Sequence, residues 1–292
     1  MKLKIKTQKG ESKKEIELPK QFNESIRKDL IKRAFLAFQS HNFQPYGAYP
    51  EAGMRASAYL SKRRNSYKST YGIGQSRTPR KVMSRRGTRL NYVGAFAPQT
   101  VSGRRAHPPK AEKIIIHKIN IKERRKAIRS ALAATLNRDI LARKNYNTPE
   151  DYPFIIEDSF GLINKTKDFK SAINSLKLEV PIKRKIRAGK GKSRGRKYTR
   201  KKGILIVVSQ NSPLLKASSN LNVEVVLVQN LNVNLLAPGG LPGRIALFTE
   251  SAIKKLKDEN LFYQSIKEHK KVKKVEQTIE KIPITKTTKK VE

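Results

Sequence analysis

Gly203-Ile204-Leu205-Ile206-Val207-Val208 and, after a short connection, Val223-Glu224-Val225-Val226-Leu227-Val228 are the stretches that decide the fold. Both are nearly unbroken β-branched runs, and a strand carries such a run only when both of its faces are covered. Between them, Pro213 to Leu221 suits a short helix. Downstream, Arg244 to Phe248 reads as another strand before a helix from Ser251 to Phe262, and upstream Phe154-Ile155-Ile156 is strand-like. Phe169, Ile173, Leu176 and Leu178 then recur at helical spacing. Strands that alternate with helices and are too apolar for a one-faced sheet predict an α/β fold, with a mostly parallel, Rossmann-like sheet flanked by helices.

Working outward, Leu3-Lys4-Ile5-Lys6 alternates, Gly10 turns the chain and Ile16-Glu17-Leu18 resumes, which predicts a β-hairpin closed by Pro19. Phe22, Ile26, Leu30 and Ala34 predict a helix over about 22–40, with Asn23 and Ser25 offering capping oxygens. From Ile119 an apolar stripe through Ile121, Ile128, Leu132, Leu136 and Ile140 predicts the longest helix, over about 120–144. The domain reading is therefore residues 1–44 and 112–263 as one globular α/β domain, 45–111 as an extended internal arm, and 264–292 as a basic, Lys-rich tail with no fold of its own.

The arm is set apart by composition. Residues 52–111 hold no Asp or Glu but fourteen cations: Arg55, Lys62, Arg63, Arg64, Lys68, Arg77, Arg80, Lys81, Arg85, Arg86, Arg89, Arg104, Arg105 and Lys110. Neither helical nor strand periodicity persists there, so the arm is expected to stay disordered until a partner holds it. A second acid-free stretch spans 180–223, with the basic segment 181–202 at its start. Over the whole chain of 292 residues, 65 Lys and Arg face 23 Asp and Glu, for a net charge of +42. Charge of one sign at this density calls for a polyanionic partner, and nucleic acid is the commonest.

Other function classes fall away. The chain has no cysteine and four scattered histidines, His41, His107, His117 and His269, without metal-ligand spacing, so neither disulfides nor a zinc site is expected. Apolar runs such as Ile204 to Val208 fall far short of the ~20 residues that cross a bilayer. Gly191-Lys192-Ser193 resembles the end of a phosphate-binding loop, but Ile186 stands where the first glycine belongs. Gly72-Ile73-Gly74 would begin a dinucleotide fingerprint, yet Arg77 occupies the third glycine position. Gly239-Gly240-Leu241-Pro242-Gly243 reads as a stiff structural turn. No cofactor, small-molecule substrate or enzymatic activity is expected.

Lys and Arg release condensed counterions from phosphates, and Arg can fork two oxygens at once. Tyr46, Tyr49, Tyr59, Tyr67, Tyr71, Tyr92 and Phe96, interleaved with the cations, can stack on unpaired bases. That favours structured RNA over duplex DNA, and the glycines of the arm allow backbone to approach backbone closely.

The blocks Gly103-Arg104-Arg105-Ala106-His107-Pro108-Pro109-Lys110, Glu123-Arg124-Arg125 with Ile128-Arg129-Ser130-Ala131-Leu132-Ala133-Ala134-Thr135, and Arg187-Ala188-Gly189-Lys190-Gly191-Lys192 resemble the universal large-subunit ribosomal protein four family, archaeal and eukaryotic type. Arg194-Gly195-Arg196-Lys197-Tyr198, Leu236-Ala237-Pro238-Gly239-Gly240, Pro242-Gly243-Arg244 and Phe248-Thr249-Glu250-Ser251-Ala252 continue the resemblance in the same order, over about residues 15–260. It departs over Ser57 to Thr70 and Val82 to Val101, and in a tail shorter than in eukaryotic members.

The resemblance implies a structural constituent of the large ribosomal subunit in the cytoplasm, which supports subunit assembly. Its globular domain would lie on the outside of the subunit and its arm would thread ribosomal RNA to the nascent-peptide exit tunnel. It implies that Tyr71, Gly72, Ile73, Gly74, Gln75, Ser76 and Arg77 form the tunnel-facing tip, where the nascent polypeptide is the partner, and that the block from Arg104 to Lys110 returns the chain to the domain. Neighbouring large-subunit proteins are further implied partners. The expected RNA contacts are the fourteen arm cations with His107, and Arg187, Lys190, Lys192, Arg194, Arg196, Lys197, Tyr198 and Arg200. Two rival readings are an α/β enzyme acting on RNA, with the arm capturing substrate, and a membrane-surface binder, which would need a sustained amphipathic helix with aromatic anchors.

Overall fold

A computed structural model describes residues 1–66, 70–72, 74–87, 89–180 and 184–263. The expected contacts at Lys68, the tip residue Ile73, Tyr67 and the tail 264–292 lie outside the described residues. The described residues fold as two compact units, one made of 1–41 with 117–263 and the other from within 42–116.

In the first unit, β1 (Lys2–Lys6) pairs antiparallel with β2 (Ser12–Glu17), Leu3 opposite Ile16. The helix α1 (Lys28–Ser40) begins later than the periodicity predicts, because Lys20–Asn23 form a separate 3-10 turn. Asn23 and Ser25 do not cap it. Arg27 is the capping residue, and its N–H donates to Ser130 Oγ (2.7 Å), whose hydroxyl donates in turn to the Ser25 carbonyl (2.9 Å).

Ser130 sits on α2 (Ile121–Thr135), whose second half is almost wholly buried. The single helix expected over 120–144 is broken after α2, and α3 (Arg138–Ala142) restarts on Asn137, whose side chain accepts from the N–H groups of Asp139 and Ile140. Losing that cap costs about 1 kcal/mol. Asn137→Ala should therefore lower unfolding stability in urea by about that amount, while Asn137→Asp should keep it.

The strand β5 (Ile155–Ile156) adds parallel to β1, and α4 (Thr166–Ser175) follows. Within the later segment of this unit, β6 (Arg184–Ile186) and β7 (Tyr198–Arg200) form a separate antiparallel hairpin. Next come β8 (Leu205–Val208), α5 (Leu214–Ser218), β9 (Glu224–Leu227), α6 (Val233–Leu236), β10 (Ala246–Phe248) and α7 (Glu250–Asp258).

The strands β10, β8 and β9 make a three-stranded parallel sheet in that order, and β2, β1 and β5 a second, mixed one. A single parallel bridge, Ile156 to Thr249, links them. The result is a mixed α/β architecture of small sheets and helices. Being an edge strand, β9 is half-buried along its length, so Val223 to Val228 is not the fully buried strand its composition suggested.

The run from Ile204 to Val208 explains the layering. Leu205 and Val207 enter a core with residues of α1, α2, α6 and α7, whereas Ile204, Ile206 and Val208 enter a second core with Leu141 of α3, Phe169 and Ile173 of α4 and Leu214 of α5. Ala246 and Phe248 against Ile245 and Leu247 repeat the division in β10. Helices thus cover both faces of the sheet, which is why no polar residue alternates along these strands. Gly239 and Gly240 take φ of 78° and 74° in a turn packed on Phe35 of α1, as the sequence indicated.

The second unit is not without periodic structure. β3 (Arg80–Arg86) and β4 (Arg89–Gly94) form an antiparallel hairpin, Val82 opposite Tyr92, with a register shift between Val82 and Ser84. Backbone pairing needs no buried face, and this hairpin keeps most of its side chains exposed.

Candidate nucleic-acid interface

The outgoing and returning chains of residues 42–116 run against each other. The Ala48 N–H donates to the Pro109 carbonyl (3.0 Å), and an isolated bridge joins Tyr59 to Arg80. Gly53 shows how close the approach is. Its φ is +77°, and a Cβ there would lie 2.5 Å from the Arg104 nitrogen, so no larger residue fits. Cationic chains that repel through their side chains are held here by the main chain, leaving the side chains to point elsewhere.

Exposure follows from this. Arg55, Lys62, Arg63, Arg64, Arg77, Arg85, Arg86, Arg89, Arg105, His107 and Lys110 are exposed, while Arg80, Lys81 and Arg104 are half-buried. The hairpin registers bring like charges together, Arg86 opposite Arg89 and Arg184 opposite Arg200. Like charges directly opposite are unfavourable in a sheet unless an anion lies between them.

The β6–β7 hairpin carries the second cluster, and Gly191-Lys192-Ser193 lies in its loop, not between a strand and a helix. Arg187, Lys190, Lys192, Arg194, Arg196, Lys197, Tyr198 and Arg200 are all exposed. At its base Lys201 lies over the Tyr146 ring (3.8 Å) and donates to the Asn145 carbonyl (2.6 Å). Burial, and then the nearby Lys201 charge, push the Lys144 amine down to about 8.

The aromatic residues divide into two groups. Tyr46 and Tyr59 are exposed, with open ring surface for a base. Tyr71 is engaged within the chain: Arg77 lies over its ring at 4.7 Å and Arg64 at 5.9 Å. Tyr92 and Phe96 are half-buried. In the segment 71–77 Gly72 and Gly74 take φ of 79° and 63°, and Arg80 reaches back to Ser76 Oγ (2.9 Å) and the Thr78 carbonyl (3.2 Å).

Charge neutralisation is segregated. Ten ion pairs occur among the described residues, and their cations are Lys6, Lys13, Arg27, Arg33, Lys126, Arg129, Lys202, Arg244, Lys254 and Lys255. None of these ten cations comes from 52–111 or from 184–200. The eight carboxylates in these pairs thus offset cations of the globular unit. Among the described residues no cluster of three or more His, Cys, Asp or Glu could hold a metal ion, and no helix is long and apolar enough to cross a membrane.

Sequence reasoning missed two features. The Arg55 guanidinium stacks on Tyr49 (4.6 Å), a pairing that the spacing does not announce. Arg244, read only as the start of a strand, is fully buried.

The paired chains of 42–116 and the β6–β7 hairpin each carry many exposed cations, and no cluster that could hold a metal ion occurs among the described residues. The chain is 48% identical over 254 residues to the large ribosomal subunit protein uL4 of Nanoarchaeum equitans, covering 85% of this chain and 94% of that protein. It is 43% identical to the uL4 of Methanocaldococcus jannaschii, over 85% of this chain and 95% of that protein. With the uL4 of Methanoculleus marisnigri the identity is 42%, over 88% of this chain and 99% of that protein. The model of the ribosomal protein L4/L1 family matches residues 16–259, and with it these residues place the chain in the ribosomal protein L4/L1 family, in its archaeal uL4 form, a family of structural proteins and not of enzymes.

Proposed function

We propose that this chain is a structural constituent of the large ribosomal subunit in the cytoplasm, binding ribosomal RNA through the arm 45–111 and the segment 181–202 and supporting subunit assembly. The observation that carries this reading is the segregation of charge. Every carboxylate in the ion pairs among the described residues offsets a cation outside 52–111 and 184–200, which supports reading exposed cations such as Arg55, Arg86, Arg89, Arg187 and Lys192 as placed for phosphate. The globular unit of 1–44 and 112–263, with its two sheets bridged at Ile156 and Thr249, is read as one mostly parallel, Rossmann-like platform that docks beside neighbouring ribosomal proteins.

The arm is read as lining part of the nascent-polypeptide exit tunnel, its tip from Tyr71 to Arg77 meeting the nascent chain. About thirty residues out and thirty back, at up to ~3.3 Å each, allow a reach on the order of 100 Å. The Arg64 and Arg77 guanidiniums over the Tyr71 ring, and the Arg80 bonds to the Ser76 hydroxyl and the adjoining Thr78 carbonyl, support a tip braced from within. Deleting 72–77 is expected to leave subunit incorporation nearly normal while altering nascent-chain stalling or sensitivity to tunnel-directed antibiotics. Normal behaviour in both assays would place the tip elsewhere, between Val82 and Val101.

A further inference from the structure

Within the unit of 42–116 lies a cavity of about 400 Å³, walled by Tyr49, Arg55, Lys81, Phe96 and Val101 over a floor that includes Gly53 and Ala95. Its size sits at the low end of the ~300–1,000 Å³ of small-ligand pockets, enough for one flat ring system and not for a folded ligand or a duplex. Arg55 lies over Tyr49 at 4.6 Å, yet the Tyr49 residue stays 54% exposed, so ring surface is left for a second partner. The Tyr49 hydroxyl donates to Glu51 (3.1 Å), which fixes the ring from its edge.

Two non-glycine residues on the cavity wall, Phe96 and Ser102, take left-handed φ of 70° and 59°. The Phe96 carbonyl is held by the Arg104 N–H (3.3 Å), and Ala95 by its bond to the Pro79 carbonyl (2.9 Å). Strained backbone of this kind persists where the surroundings over-determine it, and it fixes the cavity wall in advance of a ligand. At the rim Val101 is 88% exposed, an aliphatic side chain with nothing to cover it in the isolated chain.

An aromatic face backed by a guanidinium plane, a second aromatic wall and an ammonium group is the chemistry that receives an unstacked base. We propose that this cavity takes one extruded base of ribosomal RNA, stacked on Tyr49 and closed over by Val101, with Arg55 and Lys81 placed for the flanking phosphates. The inference rests on the reading of the arm as an RNA-binding element and names the point at which it grips a single nucleotide. A protein side chain is the other candidate occupant. The RNA base is favoured because the fourteen cations of residues 52–111 attract phosphate and outnumber the one carboxylate at the Tyr49 ring edge, Glu51, which is engaged by the Tyr49 hydroxyl.

The test uses the full chain and a transcript of large-subunit ribosomal RNA from the same source. Stacking is not a counterion effect, so Tyr49→Leu should weaken binding about tenfold while leaving the slope of log affinity against log salt unchanged. Tyr49→Phe, which keeps the ring, should bind as the parent does. Ultraviolet irradiation of the parent complex should cross-link one nucleotide to the peptide containing Tyr49 or Phe96, a measurement that needs no variant to fold. Salt-dependent RNA binding by the parent, with no cross-link at either ring and equal affinity for Tyr49→Leu, would overturn the base pocket while leaving the arm's RNA role intact. A parent chain that shows no salt-dependent RNA binding would overturn the broader reading as well. Cross-linking of these rings only to a neighbouring protein in assembled subunits would assign the cavity to that protein.

Discussion

Replacing Arg187, Lys190, Lys192, Arg194, Arg196 and Lys197 together by Gln is expected to cost more RNA affinity than any other change in the globular unit. All six are exposed and carried by the β6–β7 hairpin and its loop. Each phosphate neutralised contributes roughly 0.7–0.9 to the slope of log affinity against log salt, so six contribute roughly 4–5. Between ~50 and ~200 mM salt the parent should therefore lose on the order of a thousandfold more affinity than the variant does. Filter binding or fluorescence anisotropy across that salt range reads the difference directly.

The control is built into the same protein. Lys13 and Lys254 are also exposed cations, but each is paired, with Glu157 at 2.7 Å and with Glu250 at 2.7 Å. Changing both to Gln should barely move the slope. Equal slopes for parent and sixfold variant would mean that the hairpin faces solvent in the complex.

The strand–helix alternation was legible because burial on both faces leaves a compositional trace: Ile204 to Val208 must be apolar at every position if successive side chains enter different cores. The helix ends were less legible. The periodicity from Phe22 runs through a 3-10 turn into α1, and the bond that sets the start of α1 comes from Ser130, far away in sequence. The break after α2 has a local cause, the Asn137 side chain, yet an apolar stripe runs across it and masks it.

In the arm, the positions of the cations were legible from the absence of acid. The β3–β4 hairpin was not, since β3 has no alternating face and in β4 only Leu90, Tyr92 and Gly94 alternate, half-buried, with exposed neighbours, too short a trace among so many cations. The pairing of the outgoing and returning chains at Ala48 and Pro109 has no sequence signature either, apart from the glycines at 47 and 53. Composition offered Tyr71 as a base platform but gave no sign that Arg64 and Arg77 lie over its ring.

Glu224→Ala is expected to destabilise the folded chain by about 3–5 kcal/mol, the range for leaving a buried charge without its counterion. Arg244 enters the core beside β9, where its Nε donates to the Gly203 carbonyl (2.7 Å) and its Nη1 to Glu224 (2.7 Å) and to the Leu235 carbonyl (2.9 Å). Its side chain is 1% exposed and that of Glu224 is 31% exposed. Its Nη2 is buried with no hydrogen-bond partner among the described residues, so the group is already short of acceptors.

The two partners are unequal in what they can do when abandoned. A guanidinium cannot shed its proton, whereas a half-exposed carboxylate keeps Lys202 and reaches water. Arg244→Met, which fills the core with apolar volume, should therefore cost less than Glu224→Ala, and an order reversed in urea unfolding would refute this account.

Acid supplies the second check. Burial alone would raise the Glu224 carboxyl, but hydrogen bonds from Lys202 and Arg244 outweigh it and hold the group below its ordinary value of 4.5. A carboxylate with a depressed folded pKa contributes stability that is present above the unfolded value and is lost as pH falls through the folded one. The gap between parent and Glu224→Ala should be constant near neutrality and narrow below about pH 4.5, because protonation then removes from the parent the same charge the substitution removes from the variant.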